Sequence, residues 1–374
     1  MKFSILQENL SHGVTVASRS ASAKASLPIL NHILLSAEDG RLKISSTNLE
    51  IGVNYYTGAK VEEEGSLAVP ARVLQDLISS LSPGKVEITV NKGNLHLNSG
   101  GVEANIAGID GSEFPTIPNF PKEGGVGLPA EELSQAINEV SYAASVDENR
   151  AVLSGVLWSI EGDKMELVAT DGYRLAKKDT KISNKIPPWQ VIIPAKTMSE
   201  LAKIISELTG RGESPDEVQV FLNKEENQMS LKLGNIELSS RLIEGKYPPY
   251  EGIIPQEFTV RGVFEKDQLI QSLRLAGVFA KDLGAIVKMS ISSSGLELSA
   301  NTVQLGDEKT TIHGEIEGSE VNVAFNSRYL LDALGHLSSN QVSFEIKSNS
   351  SPGVLKAIGR EDLLLLVMPV RVQE

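Results

Sequence analysis

The strongest constraint on this chain is that it writes one stretch three times. Val69-Pro70-Ala71-Arg72-Val73-Leu74-Gln75-Asp76-Leu77 returns as Ile193-Pro194-Ala195-Lys196-Thr197-Met198-Ser199-Glu200-Leu201, and more loosely as Phe325-Asn326-Ser327-Arg328-Tyr329-Leu330-Leu331-Asp332-Ala333. Pro or Asn ahead of apolar residues spaced three to four apart predicts the start of an amphipathic helix. The base at the same place in each copy runs against the helix dipole, whose positive end favours Asp or Glu. Three such bases at one repeat position point to an anion outside the protein. The intervals are 124 residues from Arg72 to Lys196 and 132 from Lys196 to Arg328, and Leu10, Leu133 and Leu269 repeat with nearly the same period. Two markers in one register predict three tandem domains, 1–124, 125–256 and 257–374.

Each domain reads as two strand-helix-strand-strand-strand units, so the expected fold class is α+β with six βαβββ units. In the first domain, strands are expected at 1–5, 29–37, 41–46 and 51–61, then 65–69, 85–91, 94–99 and 102–106. Helices are expected over 7–18 and up to 81. Hairpin signals such as Glu38-Asp39-Gly40 and the Ser82-Pro83-Gly84 turn mark the connections. Linkers rich in Pro and Gly follow at 114–125 and 247–255, where neither a helix nor a central strand can continue. The last strand is expected over 363–372. A helix pair covers one face of a sheet and leaves edges, so six units in series can join edge to edge, with sheets outside and helices inside. The free edges at the two ends of the chain then suit a second copy, with Ala104 and Ile106 on one side and Val278 and Phe279 on the other. Head-to-tail closure of that kind makes a ring.

Composition narrows the function. The chain has 374 residues, 41% hydrophobic, with no cysteine, which excludes disulfides and thiolate metal sites. No run approaches a membrane span, and Met1-Lys2-Phe3-Ser4 enters a strand pattern without a signal-peptide core, so a cytoplasmic protein with no membrane partner is expected. The formal charge of −13 argues against nucleic acid when taken as a sum. A basic inner surface can nonetheless coexist with an acidic exterior.

Five motifs, in order along the whole chain, carry a resemblance: Met1-Lys2-Phe3, Leu27-Pro28-Ile29-Leu30, Val69-Pro70-Ala71-Arg72, Ala169-Thr170-Asp171-Gly172-Tyr173-Arg174-Leu175-Ala176, and Val367-Met368-Pro369-Val370-Arg371-Val372. Together they resemble the DNA polymerase III beta subunit family, the replicative sliding clamps. The resemblance implies three clamp-type domains per subunit, a homodimeric ring with inner helices facing double-stranded DNA, processivity, and no catalysis or cofactor of its own. It also implies a groove that docks short peptides of the polymerase III catalytic subunit, the clamp loader, other polymerases and repair proteins. The wall it implies is Leu153, Thr170, Gly172, Tyr173, Arg174, Leu175, Pro248, Ile253, Leu366, Met368, Pro369, Val370 and Arg371. Apolar side chains with a flexible Met suit several related peptides. Taken alone, Met368-Pro369 reads as an edge strand ending in Pro, and Asp171-Gly172 as a turn that Thr47-Asn48 and Ala300-Asn301 match in the other domains.

For DNA the resemblance points to Lys24 and Arg72, with Arg150 close to a further contact region. Helix position and charge add Lys196 and, more weakly, Arg19, Lys203, Lys266, Arg274 and Arg328. Ala151-Val152 stands where the best-known member of the family has two tyrosines against DNA, Lys24 where it has an Arg, and Tyr173 where it has a His. Two other classes were weighed. A hydrolase built from His12, His32, His96, His313, His336 and scattered acids lacks triad or metal spacing, and no phosphate-binding loop or His-Glu-x-x-His is present. A surface filament of structural repeats lacks an export signal.

Overall fold

Six times along the chain a strand leads into a helix and then into further strands, though the repeats are not identical: one long strand, Arg174–Pro194, runs from the third repeat into the fourth helix. The structure is a computed structural model whose described residues are 1–21, 27–121, 124–213, 215–280, 284–302 and 306–371, with backbone alone for 183–185 and 302. The six helices are α1 (Gln7–Ser18), α2 (Ala71–Ser80), α3 (Ala130–Val140), α4 (Ala195–Gly210), α5 (Lys266–Ala280) and α6 (Ser327–Gly335). The repeated motif starts α2, α4 and α6 at equivalent residues. Pro70 and Asn326 are the N-caps of α2 and α6, and the Asn326 side chain accepts the Arg328 N–H. None of these three helices has an acid in its first turn.

Strand boundaries differ from expectation in three places, each for a local reason. The expected strand at 29–37 begins as a 3-10 turn, Pro28–Asn31, before the strand His32–Glu38; Pro28 has no N–H to give a ladder. The expected strand at 51–61 breaks at Ala59: Ile51–Gly58 stays in one sheet, while Lys60–Glu63 pairs with Lys2–Ser4 in another. The last strand is Leu363–Val367, not 363–372: the Met368 N–H still reaches the Tyr173 carbonyl at 2.8 Å, but Pro369 has no N–H with which to continue the ladder.

The chain divides into two compact units, residues 1–131 with 200–242, and residues 132–199 with 243–374. The first unit holds a five-stranded and a nine-stranded antiparallel sheet. The nine-stranded sheet is continuous because Ile51–Tyr55 pairs with Ile236–Ser240. In α1, Leu10, Val14 and Ala17 are fully buried, and α1 packs on α2. The second unit holds a seven-stranded and a four-stranded sheet. Its seven-stranded sheet is joined by Arg174–Lys178 pairing with Leu363–Val367. At its start lies a long hairpin, Gly155–Thr170 with Arg174–Pro194, on which buried Trp158 meets Trp189 edge to face at 5.4 Å.

Within the second unit, four charges meet in a place where charge is costly. The Glu139 carboxylate, 3% exposed, takes two hydrogen bonds from Arg360 at 2.6 and 3.2 Å and lies 3.2 Å from the Lys178 ammonium. Asp362 completes the set, accepting from Arg360 and from Lys178. Burial pushes the Glu139 carboxyl up, but Arg360, Gln135 and Lys178 hold it below its ordinary value. Hydrogen bonds from Arg360 hold Asp362 well below the carboxylate range, against burial.

Candidate peptide groove and nucleic-acid interface

The candidate groove centres on one turn. In the Thr170–Arg174 turn the Thr170 hydroxyl accepts the Gly172 N–H at 3.0 Å and donates to the Arg174 carbonyl at 2.5 Å. The Asp171 carboxylate accepts the Tyr173 and Arg174 N–H groups at 2.9 and 3.0 Å. Gly172 sits at φ +89°, a region a side chain strains to enter, and a Cβ there would come 3.0 Å from Arg150 Nη2.

Below the turn lies an apolar floor. Leu157, Val168, Leu175, Ile192, Tyr247, Tyr250 and Leu366 form one buried cluster, with Val152, Ile243, Ile254, Leu364 and Met368 packed against it. Of the implied wall, Leu175, Leu366 and Met368 therefore meet in one place, beside the Tyr173 carbonyl that holds Met368. Thr170 and Gly172 shape the turn. Leu153, next to Val152, accepts the Ser145 N–H at 2.8 Å, and Val370 donates to Ala324 at 2.8 Å. Pro369 and Val370 are half-buried and Arg371 is exposed. Pro248 is exposed between buried Tyr247 and Tyr250, and Ile253 is exposed on the 3-10 turn Glu251–Ile253. Tyr250 is fixed from below, its hydroxyl donating to Glu166 at 2.5 Å.

Arg174 is held rather than free. Its guanidinium lies between the rings of Tyr142 and Tyr329, 5.4 and 4.9 Å from their centroids. It also bonds Asp171 at 3.1 Å and Asp332 at 2.5 Å. The stack extends at both ends: His336 lies on Tyr142 at 4.1 Å, and Tyr173 on Tyr329 at 6.3 Å. The outermost ring, Tyr173, is 59% exposed, a rigid aromatic shelf at the groove mouth. As parts of this site Tyr142, Tyr329, Asp332, His336, Tyr247 and Tyr250 are invisible in the sequence, although Tyr329 and Asp332 lie in the triple repeat and Tyr247 and Tyr250 flank two prolines.

The bases sort into two groups. Arg72 is nearly fully exposed, with one long 3.9 Å pairing to Asp76. Lys196, Arg274 and Arg328 are exposed. Arg19 is taken by Glu200 and Glu207, Lys203 by Glu200, and Lys266 by the Leu337 carbonyl. Arg150 donates to the Asp171 carbonyl at 2.7 Å, so its guanidinium belongs to the groove turn. Val152 likewise sits against the groove floor. Lys24 lies outside the described residues. Of the edge residues, Val102–Ala107 is an outer strand of the five-stranded sheet, paired on one side only. Ala104 is half-buried, but Ile106 is only 7% exposed and already packed in its own unit, so this edge offers mainly its backbone. On α5, Val278 is exposed at 60% and Phe279 is half-buried.

Among the described residues no group of acids and histidines could hold a metal ion, and no helix is long and apolar enough to cross a membrane.

Comparison with known proteins matches three domain models of the DNA polymerase III beta subunit: N-terminal over residues 1–118, central over 127–249 and C-terminal over 251–371. A beta sliding clamp from Synechocystis is 31% identical over 395 residues and covers all of both chains. Among solved structures, a DNA polymerase sliding clamp from Bacillus subtilis superposes with a TM-score of 0.92 at 27% identity, all of each chain covered. A sliding clamp from Pseudomonas aeruginosa bound to griselimycin gives 0.92 at 26% identity, again over both whole chains. Six strand-helix-strand repeats and three domain matches in tandem agree over the full length, and the chain belongs to the DNA polymerase III beta subunit family, the beta sliding clamps.

Proposed function

We propose that this chain is a processivity clamp: two copies close into a ring around duplex DNA, and the groove under the Thr170–Arg174 turn docks short peptides of replication and repair proteins. The observation that carries the reading is the groove itself, an apolar floor with Met368 and an exposed Tyr173 ring beside a turn held by its own side chains. Such a surface recognises peptides by burial and orients them by backbone groups, with no catalytic constellation needed. The polymerase catalytic subunit and the clamp loader are the expected peptide donors, and tethering raises polymerase concentration at the primer end. The exposed bases Arg72, Lys196 and Arg328 begin three equivalent helices, which supports a surface that meets phosphates loosely and slides. The half-paired Val102–Ala107 strand and the α5 face with Val278 support closure with a second copy. Domain limits at 1–124, 125–256 and 257–374 go with this reading. The test is solution mass by light scattering across dilution, followed by retention on circular against linear DNA. A particle of twice 40.2 kDa that stays on circles and slides off linear ends is expected. A monomer at every concentration would leave only a peptide-binding scaffold.

A further inference from the structure

The first unit repeats the groove's frame with different side chains. Thr47 Oγ accepts the Leu49 N–H and donates to the Ile51 carbonyl, both at 2.9 Å. Asn48 accepts the Glu50 and Ile51 N–H groups at 3.0 and 2.8 Å. The Arg241 N–H donates to the Glu50 carbonyl at 2.9 Å, as the Met368 N–H does to Tyr173. Leu49 thus stands for Gly172, Glu50 for Tyr173 and Arg241 for Met368. Leu49 even takes the glycine's backbone conformation, φ +75°, although a leucine is strained there, and its side chain is 46% exposed. Strain of this kind, at an exposed aliphatic residue, marks a position under a demand other than stability.

Beside this turn is a cleft of about 300 Å³, roofed by the Pro115–Pro118 linker and walled by Glu50, Glu226 and Arg241. The linker is pinned to the sheet: Asn119 accepts from Lys43 at 3.0 Å, and the Phe120 N–H donates to Glu237 at 3.1 Å. Gly52 lets Ile117 sit close, since a Cβ there would come 2.7 Å from Ile117 Cγ2. Among the described residues the Thr116 and Ile117 N–H groups have no hydrogen-bond partner, so the linker offers an extended edge. Among those residues, neither Glu50 nor Glu226 has an ion-pair partner, and the walls carry two carboxylates against one guanidinium. An extended chain with a cation fits that balance.

We propose that this cleft is a second docking site, for an extended partner segment that alternates aliphatic and basic side chains. The aliphatic group packs on Leu49 and Ile117 above buried Ile51, the basic group meets Glu50 and Glu226, and the backbone pairs with the linker edge. This rests on reading the second unit's groove as a peptide site, because the shared frame is what argues for a peptide here.

The test uses the full chain with labelled Ile, Leu and Val methyl groups and the capped peptide Leu-Lys-Leu-Lys-Leu, with Leu-Glu-Leu-Glu-Leu as control. The expected result is saturable shifts at Leu49, Ile51 and Ile117 with the basic peptide only. Glu50→Gln with Glu226→Gln should weaken them about tenfold at low salt, as the loss of two facing charges does, whereas Tyr173→Ala with Met368→Ala leaves them unchanged. Shifts confined to the Leu175 and Leu366 region, shifts spread over the surface, or no shifts would each overturn the proposal. Absence of any shift at Leu175 and Leu366 with a polymerase-derived peptide in the unsubstituted chain, while the cleft still responds, would reject the groove reading alone.

Discussion

The Thr47–Ile51 and Thr170–Arg174 turns share four side chain–backbone hydrogen bonds and one from the facing strand, yet present different chemistry. One offers a strained leucine, a carboxylate and a guanidinium; the other a glycine, an aromatic shelf and a methionine. The frame comes from Thr followed by Asn or Asp, whose side chains close the turn on the backbone. Three positions on that frame are then free to vary. A repeat fold can therefore keep its joints constant while changing what each joint recognises. The charge clusters of the two units differ too. The second unit buries Glu139 among Lys178, Arg360 and Asp362, while the first relies on the half-exposed Arg19 with Glu200 and Glu207.

The largest test of that contrast is removal of one acid from each. Glu139→Ala leaves buried Lys178 and part-buried Arg360 with Asp362 alone and should cost the second unit up to ~3 kcal/mol, the low end for breaking a buried pair. Glu200→Ala should cost the first ~1 kcal/mol or less. Calorimetric unfolding of both variants checks this, and equal losses would erase the difference. Next, exchanging the turn residues should act in opposite directions. Gly172→Leu should destabilise by ~1–3 kcal/mol through its backbone angle and its approach to Arg150, while Leu49→Gly should be neutral or stabilising by up to ~1 kcal/mol. Destabilisation by both would mean that the Leu49 side chain contributes to the fold after all.

Acid should separate the units by pH. Burial, reinforced by Arg211, holds His12 below its ordinary 6.5. Its neutral form is favoured in the fold, so its contribution is full above pH 6.5 and is lost as pH falls below it. Glu139 and Asp362 are depressed from 4.5 and 3.8, so theirs is full above those values and is lost only at lower pH. Thermal unfolding at pH 5 against pH 7 should soften the first unit alone; joint softening would contradict the assignment. The smallest effect concerns the helix starts. Arg72→Ala should lower the salt slope of DNA binding by about 0.9, one phosphate's worth, whereas Lys203→Ala, already paired to Glu200, should leave it unchanged.

What the sequence revealed is what is local. Ala71, Ala195 and Ser327 begin their helices where the triple motif places them, because the preceding Pro or Asn ends a strand and admits a helix within two residues. Leu175, Leu366 and Met368 meet because the strands that carry them pair in register. What stayed hidden depends on contacts between distant residues. The column from His336 through Tyr142, Arg174 and Tyr329 to Tyr173 draws on three separate stretches of chain, and neither the 169–176 motif nor the triple repeat shows that they stack on one another. Arg150 likewise reads as a loose surface base until its bond to the Asp171 carbonyl is seen.

The chain has two tryptophans, and the edge-to-face pair Trp158 and Trp189 accounts for both. Because that pair lies wholly in the second unit, indole emission is a built-in optical channel for one half of the molecule. The other half is dark to it and shows only through its tyrosines. A spectrometer can thus watch the groove-bearing unit loosen while a full-chain signal such as circular dichroism follows both, with no label attached.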